Sequence, residues 1–140
     1  MSKVAVVYWS ATCNTEAMAN AVADGAKDTG CDVSVFTPAD FSVNKMDEFD
    51  AIAFGCPAMG DEVLEEDEFE PMFTDCEEKL SGKKIALFGS YGWGDGEWMR
   101  NWEERCKEKG AVLVHECVIC QDAPDEEGVE NCKALGKALA

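Results

Sequence analysis

Five short apolar runs recur along the chain, separated by longer polar stretches, and they lie at 3–9, 31–36, 51–56, 84–90 and 111–120. Each run has the length of a β-strand and contains several β-branched or aromatic residues. Apolar residues follow one another without regular alternation, which is typical of strands that are buried on both faces of a parallel sheet. The pattern therefore predicts five strands.

The polar stretches carry apolar residues at helical spacing. In the segment 14–30, which ends at a glycine, Met18, Val22 and Ala26 fall on one face of a helix. Further helices are predicted at 68–82, 97–110 and 125–140, with a short helical turn at 45–49. Alternating strands and helices predict a doubly wound α/β domain whose sheet is covered on both faces. Ligands of such domains bind beyond the carboxyl ends of the strands.

The 140 residues have the size of one domain, which we expect to span 1–140. Gly and Pro are scattered as turn residues, and the sequence shows no linker tract or internal repeat. The apolar runs are short compared with the about 20 residues of a membrane helix. The N-terminus also lacks the basic and apolar regions of a signal peptide. We expect a cytoplasmic protein.

Acidic residues far outnumber basic ones. The chain has 29 Asp and Glu against 12 Lys and Arg, a formal net charge of −17. This charge disfavours nucleic acid and anionic membranes as partners, because both bind positive surfaces. Two interpretations stay open: the charge keeps the protein soluble, or it attracts a basic protein partner.

The chain contains eight cysteines and one histidine, and these numbers limit the metal sites and redox reactions that it can support. Without a secreted context, we expect free thiols rather than a disulfide framework. Cys117 and Cys120 have the spacing of a metal or redox pair, but residues three apart on a strand point to opposite faces. His115 is the only histidine, which excludes a histidine-rich metal site. We therefore predict no metal site.

The loop after the first apolar run concentrates small side chains that can donate hydrogen bonds. Ser10, Thr12, Asn14 and Thr15 lie close together, and no Lys or Arg occurs within 4–26. Unpaired N–H groups and partial positive charge at a helix start can form a phosphate cage with such donors. An ordinary cap at Thr12 or Asn14 is the alternative, but capping needs one such residue. The loop lacks a Walker Lys, a G-x-G-x-x-G motif and a phosphatase Arg, so it predicts a tightly held, unreactive monophosphate.

Two further loops follow the third and fourth apolar runs. In SYGWGDG, Tyr91 and Trp93 lie among glycines, and aromatic residues on so flexible a loop indicate a flat ligand. Packing of the tryptophan into the core is the alternative. In CPAMGDE, Met59 adds an apolar, polarizable side chain before Gly60. The three loops together predict a site for a ring system attached to a monophosphate, and FMN has that shape.

The chain resembles the short-chain flavodoxins from its first strand to its last helix. Ser10, Thr12 and Thr15 are similar to the family's S/T-x-T-x-x-T phosphate loop, and 59–62 and 90–96 to the loops that sandwich the flavin. The resemblance implies a doubly wound, five-stranded parallel sheet in the order 2-1-3-4-5. The cofactor-binding residues it implies are Ser10, Ala11, Thr12, Cys13, Asn14, Thr15, Pro57, Ala58, Met59, Gly60, Asp61, Glu62, Ser90, Tyr91, Gly92, Trp93, Gly94, Gln121 and Asp122.

One position departs from the family pattern. Cys13 stands where the family usually has glycine, beside Ala11, which also often is glycine. If the backbone there needs a positive φ, Cys13 is strained by roughly 1–2 kcal/mol. Three consequences stay open: weaker FMN binding, a thiol exposed to oxidation, or no effect.

The resemblance also implies a function. It indicates a low-potential one-electron carrier, not an enzyme, whose FMN cycles between semiquinone and hydroquinone. In the family, a peptide similar to Gly60–Asp61 turns over on reduction, Glu62 accepts the flavin pyrimidine N–H, and Ser90 lines the ring edge. Gln121 and Asp122 are expected at the pyrimidine or the ribityl chain. We expect a monomer that exchanges electrons with basic redox proteins.

Two other classes share features of this fold. An FMN-dependent quinone or NAD(P)H oxidoreductase has the same architecture, but the sequence offers no basic clamp for the phosphates of NAD(P)H. A signalling receiver domain has the same strand order and needs an acidic pair after the first strand, where Ser10 and Ala11 stand.

Overall fold

A computed structural model describes residues 2–10, 13–59, 63–92 and 96–140. Within these residues, six parallel strands form one sheet, in which the first five follow the order β2-β1-β3-β4-β5 and β6 pairs with β4. The strand order implied by the resemblance is thus confirmed. The strands are β1 (Lys3–Tyr8), β2 (Asp32–Phe36), β3 (Ala51–Gly55), β4 (Lys84–Tyr91), β5 (Val112–Leu113) and β6 (Val118–Gln121).

The prediction of one continuous strand over 111–120 is wrong, because this edge strand is split into β5 and β6. Leu113 pairs with Ile85, and Val118 pairs with Phe88. From one pair to the next, β4 advances by three residues and the edge segment by five, so two extra residues of the edge segment lie outside the ladder. The polar sequence His115–Glu116 lies in this gap, where one neighbouring strand instead of two makes leaving the ladder less costly.

The described residues form four α-helices, of which the first three connect strands and the fourth follows β6: α1 (Asn14–Asp28), α2 (Phe69–Cys76), α3 (Glu97–Glu108) and α4 (Glu126–Ala138). The glycine stops predicted after the first and third helical segments are confirmed, since Gly30 and Gly110 have positive φ and lie two residues beyond α1 and α3. Such angles cost glycine little, because it has no Cβ. The predicted end of the second segment at Gly82 is wrong, because α2 ends at Cys76 and a 3₁₀ turn follows at Glu77–Lys79. The connection from β2 to β3 contains two 3₁₀ turns, at Pro38–Asp40 and Val43–Glu48, and the second overlaps the predicted helical turn.

Two hydrophobic layers cover the sheet. On one face, α2 and α3 bury Phe69, Phe73, Trp98 and Trp102; on the other, α1 and α4 bury residues that include Met18 and Leu135. The prediction that helices cover both faces is therefore confirmed. Cys117 packs against the first layer and Cys120 belongs to the second, which confirms that they point to opposite faces.

Helices α1 and α4 approach so closely that glycine is required between them. A Cβ on Gly25 would lie 2.1 Å from the carbonyl oxygen of Lys133, and one on Gly136 would lie 2.0 Å from that of Val22. Any side chain at either glycine would therefore push the backbones apart. These two contacts fix the position of α4 along α1.

An arginine joins the two helices of the opposite layer. The guanidinium of Arg105 on α3 donates to Glu70 at 2.7 and 2.8 Å and to Glu77 at 2.6 and 2.9 Å. It also lies 5.0 Å from the ring centre of Phe73. Burial tends to raise the pKa of Glu70, but the hydrogen bonds from Arg105 and Thr74 lower it overall. This half-buried network holds α2 and the following turn against α3.

Candidate functional site

The loops at the carboxyl edge of the sheet surround a cavity of about 190 Å³, at the position where doubly wound domains bind ligands. Among the described residues that line it, Asp122 alone carries a charge. Every lining residue belongs to the cofactor-binding set implied by the sequence, although its contact with FMN stays a prediction. The lining residues are Asn14, Pro57, Ala58, Met59, Ser90, Tyr91, Gly92 and Asp122.

The first loop leads directly into α1. Cys13 precedes the helix with φ 68° and ψ 0°, so the positive φ that the sequence left conditional is present. The Cys13 side chain makes no capping hydrogen bond. Asn14 is the first helical residue, so the alternative of an Asn14 cap is wrong, and the backbone N–H of Glu16 donates instead to Ser10 Oγ at 3.3 Å. Ala11 and Thr12 lie outside the described residues.

Ser90, at the end of β4, links the loops that line the cavity. Its backbone N–H donates to the buried Thr15 Oγ1 at 3.4 Å, and its carbonyl accepts from the N–H of Ala58 at 3.0 Å. Its hydroxyl donates to the carbonyl oxygen of Asp122 at 2.7 Å. One nearly buried residue thus bonds to the segments after β1, β3 and β6. Ser90 is expected, with the backbone of Tyr91 and Gly92, to line the ring edge, and in this structure its hydroxyl proton is donated to Asp122.

The second loop is closed by backbone pairing. Met59 and Val63 exchange two hydrogen bonds, at 2.9 and 3.0 Å, on either side of 60–62. The predicted site residues Gly60, Asp61 and Glu62 lie outside the described residues.

A buried carboxyl group behind the second loop was missed by sequence analysis. Glu65 is 5% exposed and accepts from the backbone N–H groups of Asp67, Glu68 and Phe69 at 2.8, 2.7 and 2.7 Å. It therefore satisfies donors at the start of α2 and fixes the helix that follows the loop. The signal available in the sequence was an acidic residue just before a predicted helix, within an acidic run that suggested only surface charge.

The third loop begins with a packed aromatic pair. Tyr91 is half-buried and lies 5.6 Å from the ring of Trp98, whose indole N–H donates to the carbonyl of Cys56 at 3.1 Å. Trp98 is therefore a core residue that supports the loops after both β3 and β4. Trp93 and Gly94, the other predicted contacts of this loop, lie outside the described residues.

The segment after β6 completes the cavity wall. Asp122 has φ 57°, and its N–H donates to the carbonyl of Tyr91 at 2.8 Å. A short polar side chain tolerates this left-handed conformation better than most. The side-chain amide of Gln121 donates to the carbonyl of Gly92 at 3.4 Å. Gln121 and Asp122 thus attach this edge segment to the third loop.

Trp9 is a second residue that sequence analysis did not place at the site. Its backbone N–H donates to the carbonyl of Gly55, and its indole N–H donates to Glu68 at 3.0 Å. It therefore connects the end of β1 to the start of α2, on either side of the loops that carry the predicted ligand contacts. Sequence analysis did not predict this connection, because Trp9 ends an apolar run and was therefore interpreted as part of a strand.

The donor set fits a phosphorylated ring. Helix α1 begins at the edge where Asn14 lines the cavity, and the N–H groups and partial positive charge of a helix start can bind phosphate without a cation. Apolar and aromatic groups, including Met59 and Tyr91, form the other walls. The fold and the site therefore define a doubly wound protein whose cavity at the carboxyl edge suits a mononucleotide-like ligand.

Comparison with known proteins identifies the family. A family model described as flavodoxin matches residues 6–136. The chain is 49% identical over 135 residues to a flavodoxin of Clostridium beijerinckii, covering 96% of this chain and 97% of that protein. It is 47% identical over 137 residues to a flavodoxin of Megasphaera elsdenii, covering 98% of each. The chain belongs to the flavodoxin family, whose members bind FMN and transfer electrons, and FMN is its cofactor.

A solved structure supports the same conclusion. The solution structure of two-electron reduced Megasphaera elsdenii flavodoxin matches with a TM-score of 0.90 at 47% identity, covering 97% of both chains. An archaeal flavodoxin matches with a TM-score of 0.86 at 28% identity. The similarity extends over the whole sheet and its helices.

Proposed function

We propose that this chain is a low-potential one-electron carrier and not an enzyme. Bound FMN supplies the redox chemistry, by passing between its one-electron-reduced and fully reduced states. The observation that carries the proposal is the cavity at the carboxyl edge, whose walls come from four loops held together through Ser90. The proposal treats 1–140 as a single FMN-binding domain.

The phosphate end is assigned to the start of α1. Asn14 and Ser10 lie there, the N–H of Glu16 in the first helical turn donates to Ser10 Oγ, and Thr15 connects this turn to Ser90. We assign Ala11, Thr12 and Cys13 to the same phosphate loop from the sequence pattern. Neutral donors leave the negative charge of the phosphate uncompensated, which disfavours adding a further electron nearby.

The ring end is assigned to the loops after β3, β4 and β6. Pro57, Ala58 and Met59 form one wall; Tyr91, Gly92 and Asp122 form another. The remaining predicted contacts of the ring are Gly60, Asp61, Glu62, Trp93, Gly94 and Gln121.

Negative charge around the ring end lowers the reduction potential for the step that adds the last electron to FMN. Each unscreened negative charge about 10 Å from the added electron, at an effective dielectric near 20, disfavours it by roughly 1.7 kcal/mol, or on the order of 70 mV. Several such groups on a chain of charge −17 act in the same direction. A low potential follows from the summed field.

We further propose that the protein works as a monomer in the cytoplasm and delivers electrons to basic redox proteins. The excess of acidic residues supports this, since complementary charge raises association rates. No helix within the described parts of the chain is long and apolar enough to cross a membrane.

Electron delivery to cytochrome c, a basic one-electron acceptor, tests the proposal. The reduced protein is mixed with cytochrome c at increasing ionic strength, and we expect the second-order rate to fall as screening shortens electrostatic reach to about 8 Å at physiological salt. A parallel assay supplies NADPH and a quinone, and we expect no turnover. Salt-independent transfer would contradict the role of the charge, and NADPH-driven quinone turnover would establish an enzyme.

A further inference from the structure

Two cysteine side chains meet beneath the edge segment of the sheet. Cys120 lies on β6 and Cys132 on α4, and both belong to the hydrophobic layer shared by α1 and α4. Cys132 lies one helical turn after Gly128, on the face of α4 that rests on the sulfur of Cys120, which makes the two thiols neighbours. Both are free thiols, so the chain brings together two reduced sulfurs that are 12 positions apart in sequence.

The packing of α4 holds these sulfurs in place. Gly25 and Gly136 fix α4 against α1, as described above, and Cys132 directly precedes Lys133, which makes the first of these contacts. Near the start of α4, a Cβ on Gly128 would lie 2.7 Å from Cys120 Sγ, so the helix rests directly on that sulfur. Because Cys120 lies on a strand and Cys132 on an anchored helix, the relative position of the two sulfurs is held constant.

One member of the pair is accessible to small molecules and the other is not. Cys120 is 8% exposed and lines a cavity of about 390 Å³ with polar neighbours that include Gln121, Asp125 and Asn131. Cys132 has no exposed surface. A small oxidant therefore reaches Cys120 first and finds Cys132 behind it.

The reactivity of the two thiols is ordered in the same sense. Interaction with the neighbouring Cys132 thiol lowers the pKa of Cys120 despite the opposing effect of burial, and a lower pKa increases the fraction of thiolate, the form that reacts with peroxide. By contrast, burial raises the pKa of Cys117, whose thiol donates to Glu103 at 3.1 Å. Cys120 is therefore a better nucleophile than the neighbouring Cys117.

We propose that Cys120 and Cys132 form a peroxide-sensitive dithiol that closes reversibly to an intramolecular disulfide. The Cys120 thiolate attacks one oxygen of hydrogen peroxide, the O–O bond breaks, and the leaving hydroxide takes up a proton as water, which leaves a sulfenic acid. The Cys132 sulfur then attacks the Cys120 sulfur and its proton leaves with the hydroxyl group as a second water. The two thiols lose two electrons and the peroxide gains them.

The disulfide joins β6 to α4 and encloses Gln121 and Asp122, the edge segment of the candidate flavin site, in a covalent ring. It also protects Cys120 from further oxidation, because the sulfenic acid is consumed before a second peroxide reacts. The proposal does not depend on the proposed electron-carrier role.

The test is direct mapping of the holoprotein after stoichiometric hydrogen peroxide. Blocking of free thiols, digestion with a Glu-specific protease and non-reducing mass spectrometry locate any cross-link, since Glu126, Glu127 and Glu130 separate the two cysteines. We expect fragments joined through Cys120 and Cys132, a loss of two free thiols, and full recovery with dithiothreitol. These readouts need no variant.

Single substitutions give matched controls. Cys117→Ser removes the other cysteine of the same fragment and should leave the cross-link intact, whereas Cys120→Val should abolish it. Free Cys120 and Cys132 in peroxide-treated parent protein would overturn the proposal, and so would a cross-link that involves Cys117 or Cys13 instead.

Discussion

The left-handed conformation of Cys13 yields a quantitative prediction for the variant Cys13→Gly. A Cβ in this region of conformational space costs roughly 1–2 kcal/mol, and Cys13 has φ 68°. Its exposed side chain makes no capping hydrogen bond, so removing it loses no stabilising contact. The greater conformational entropy of glycine in the unfolded chain offsets about 0.5–1 kcal/mol of this stabilisation. We expect a net gain of about 0.5–1 kcal/mol.

Thermal and urea unfolding with and without FMN measure this gain. A gain of 1 kcal/mol raises the midpoint of a domain of this size by about 3 °C. The matched control is Cys13→Ser, which removes the thiol but keeps the Cβ, and which should stay within about 0.5 kcal/mol of the parent. Because the strain is present without ligand, the FMN dissociation constant should change less than about twofold. Equal stabilities of the glycine and serine variants would refute the argument from strain.

Three further predictions concern hydrogen bonds. Ser90→Ala should lower the free energy of unfolding by about 1 kcal/mol and weaken FMN binding, because it releases the segment after β6; unchanged urea unfolding and FMN titration would contradict this. Arg105→Lys should destabilise the protein by about 1–2 kcal/mol at pH 7, because lysine cannot replace the paired bonds to Glu70 and Glu77. Because the pKa of Glu70 is lowered in the folded protein, its contribution to stability is fully present above the ordinary pKa of 4.5 and is lost as the pH falls through the lowered pKa. Urea unfolding should therefore show the stabilities of the parent and of Arg105→Lys converging in acid. Thr15→Val should weaken FMN by about 1–2 kcal/mol and riboflavin much less if the hydroxyl serves the phosphate end; equal losses in fluorescence titrations of both ligands would assign Thr15 to packing alone.

Local patterns in the sequence predict most of the fold. Helical spacing and terminal glycines locate the helices, because both effects act within a few residues, and Gly30 and Gly110 have the positive φ that such stops use. The split of the edge strand was not predicted. Hydrophobicity along 111–120 is continuous enough for a strand, and only the pairing with β4 shows that residues around His115 leave the ladder.

The candidate site is less predictable, because its geometry depends on contacts that are distant in sequence. The pattern of small donors marks the first loop, but the bonds from Ser90 to Thr15 and Asp122 span 75 and 32 positions. The sequence also does not predict that Cys120 lies beside Cys132, because the C-x-x-C spacing pairs Cys120 with Cys117. Sequence therefore identifies the residue types at the site, whereas the structure shows which of them hold one another.

Stepwise anaerobic reduction of the FMN-loaded protein, followed by visible absorption, tests the proposed function most directly. If the chain is a one-electron carrier, the yellow oxidised spectrum should give way first to the long-wavelength absorption of a blue, one-electron-reduced flavin, and then to the bleached, fully reduced form at a lower potential. Direct bleaching in a single two-electron step, or failure of the protein to retain FMN, would contradict the account.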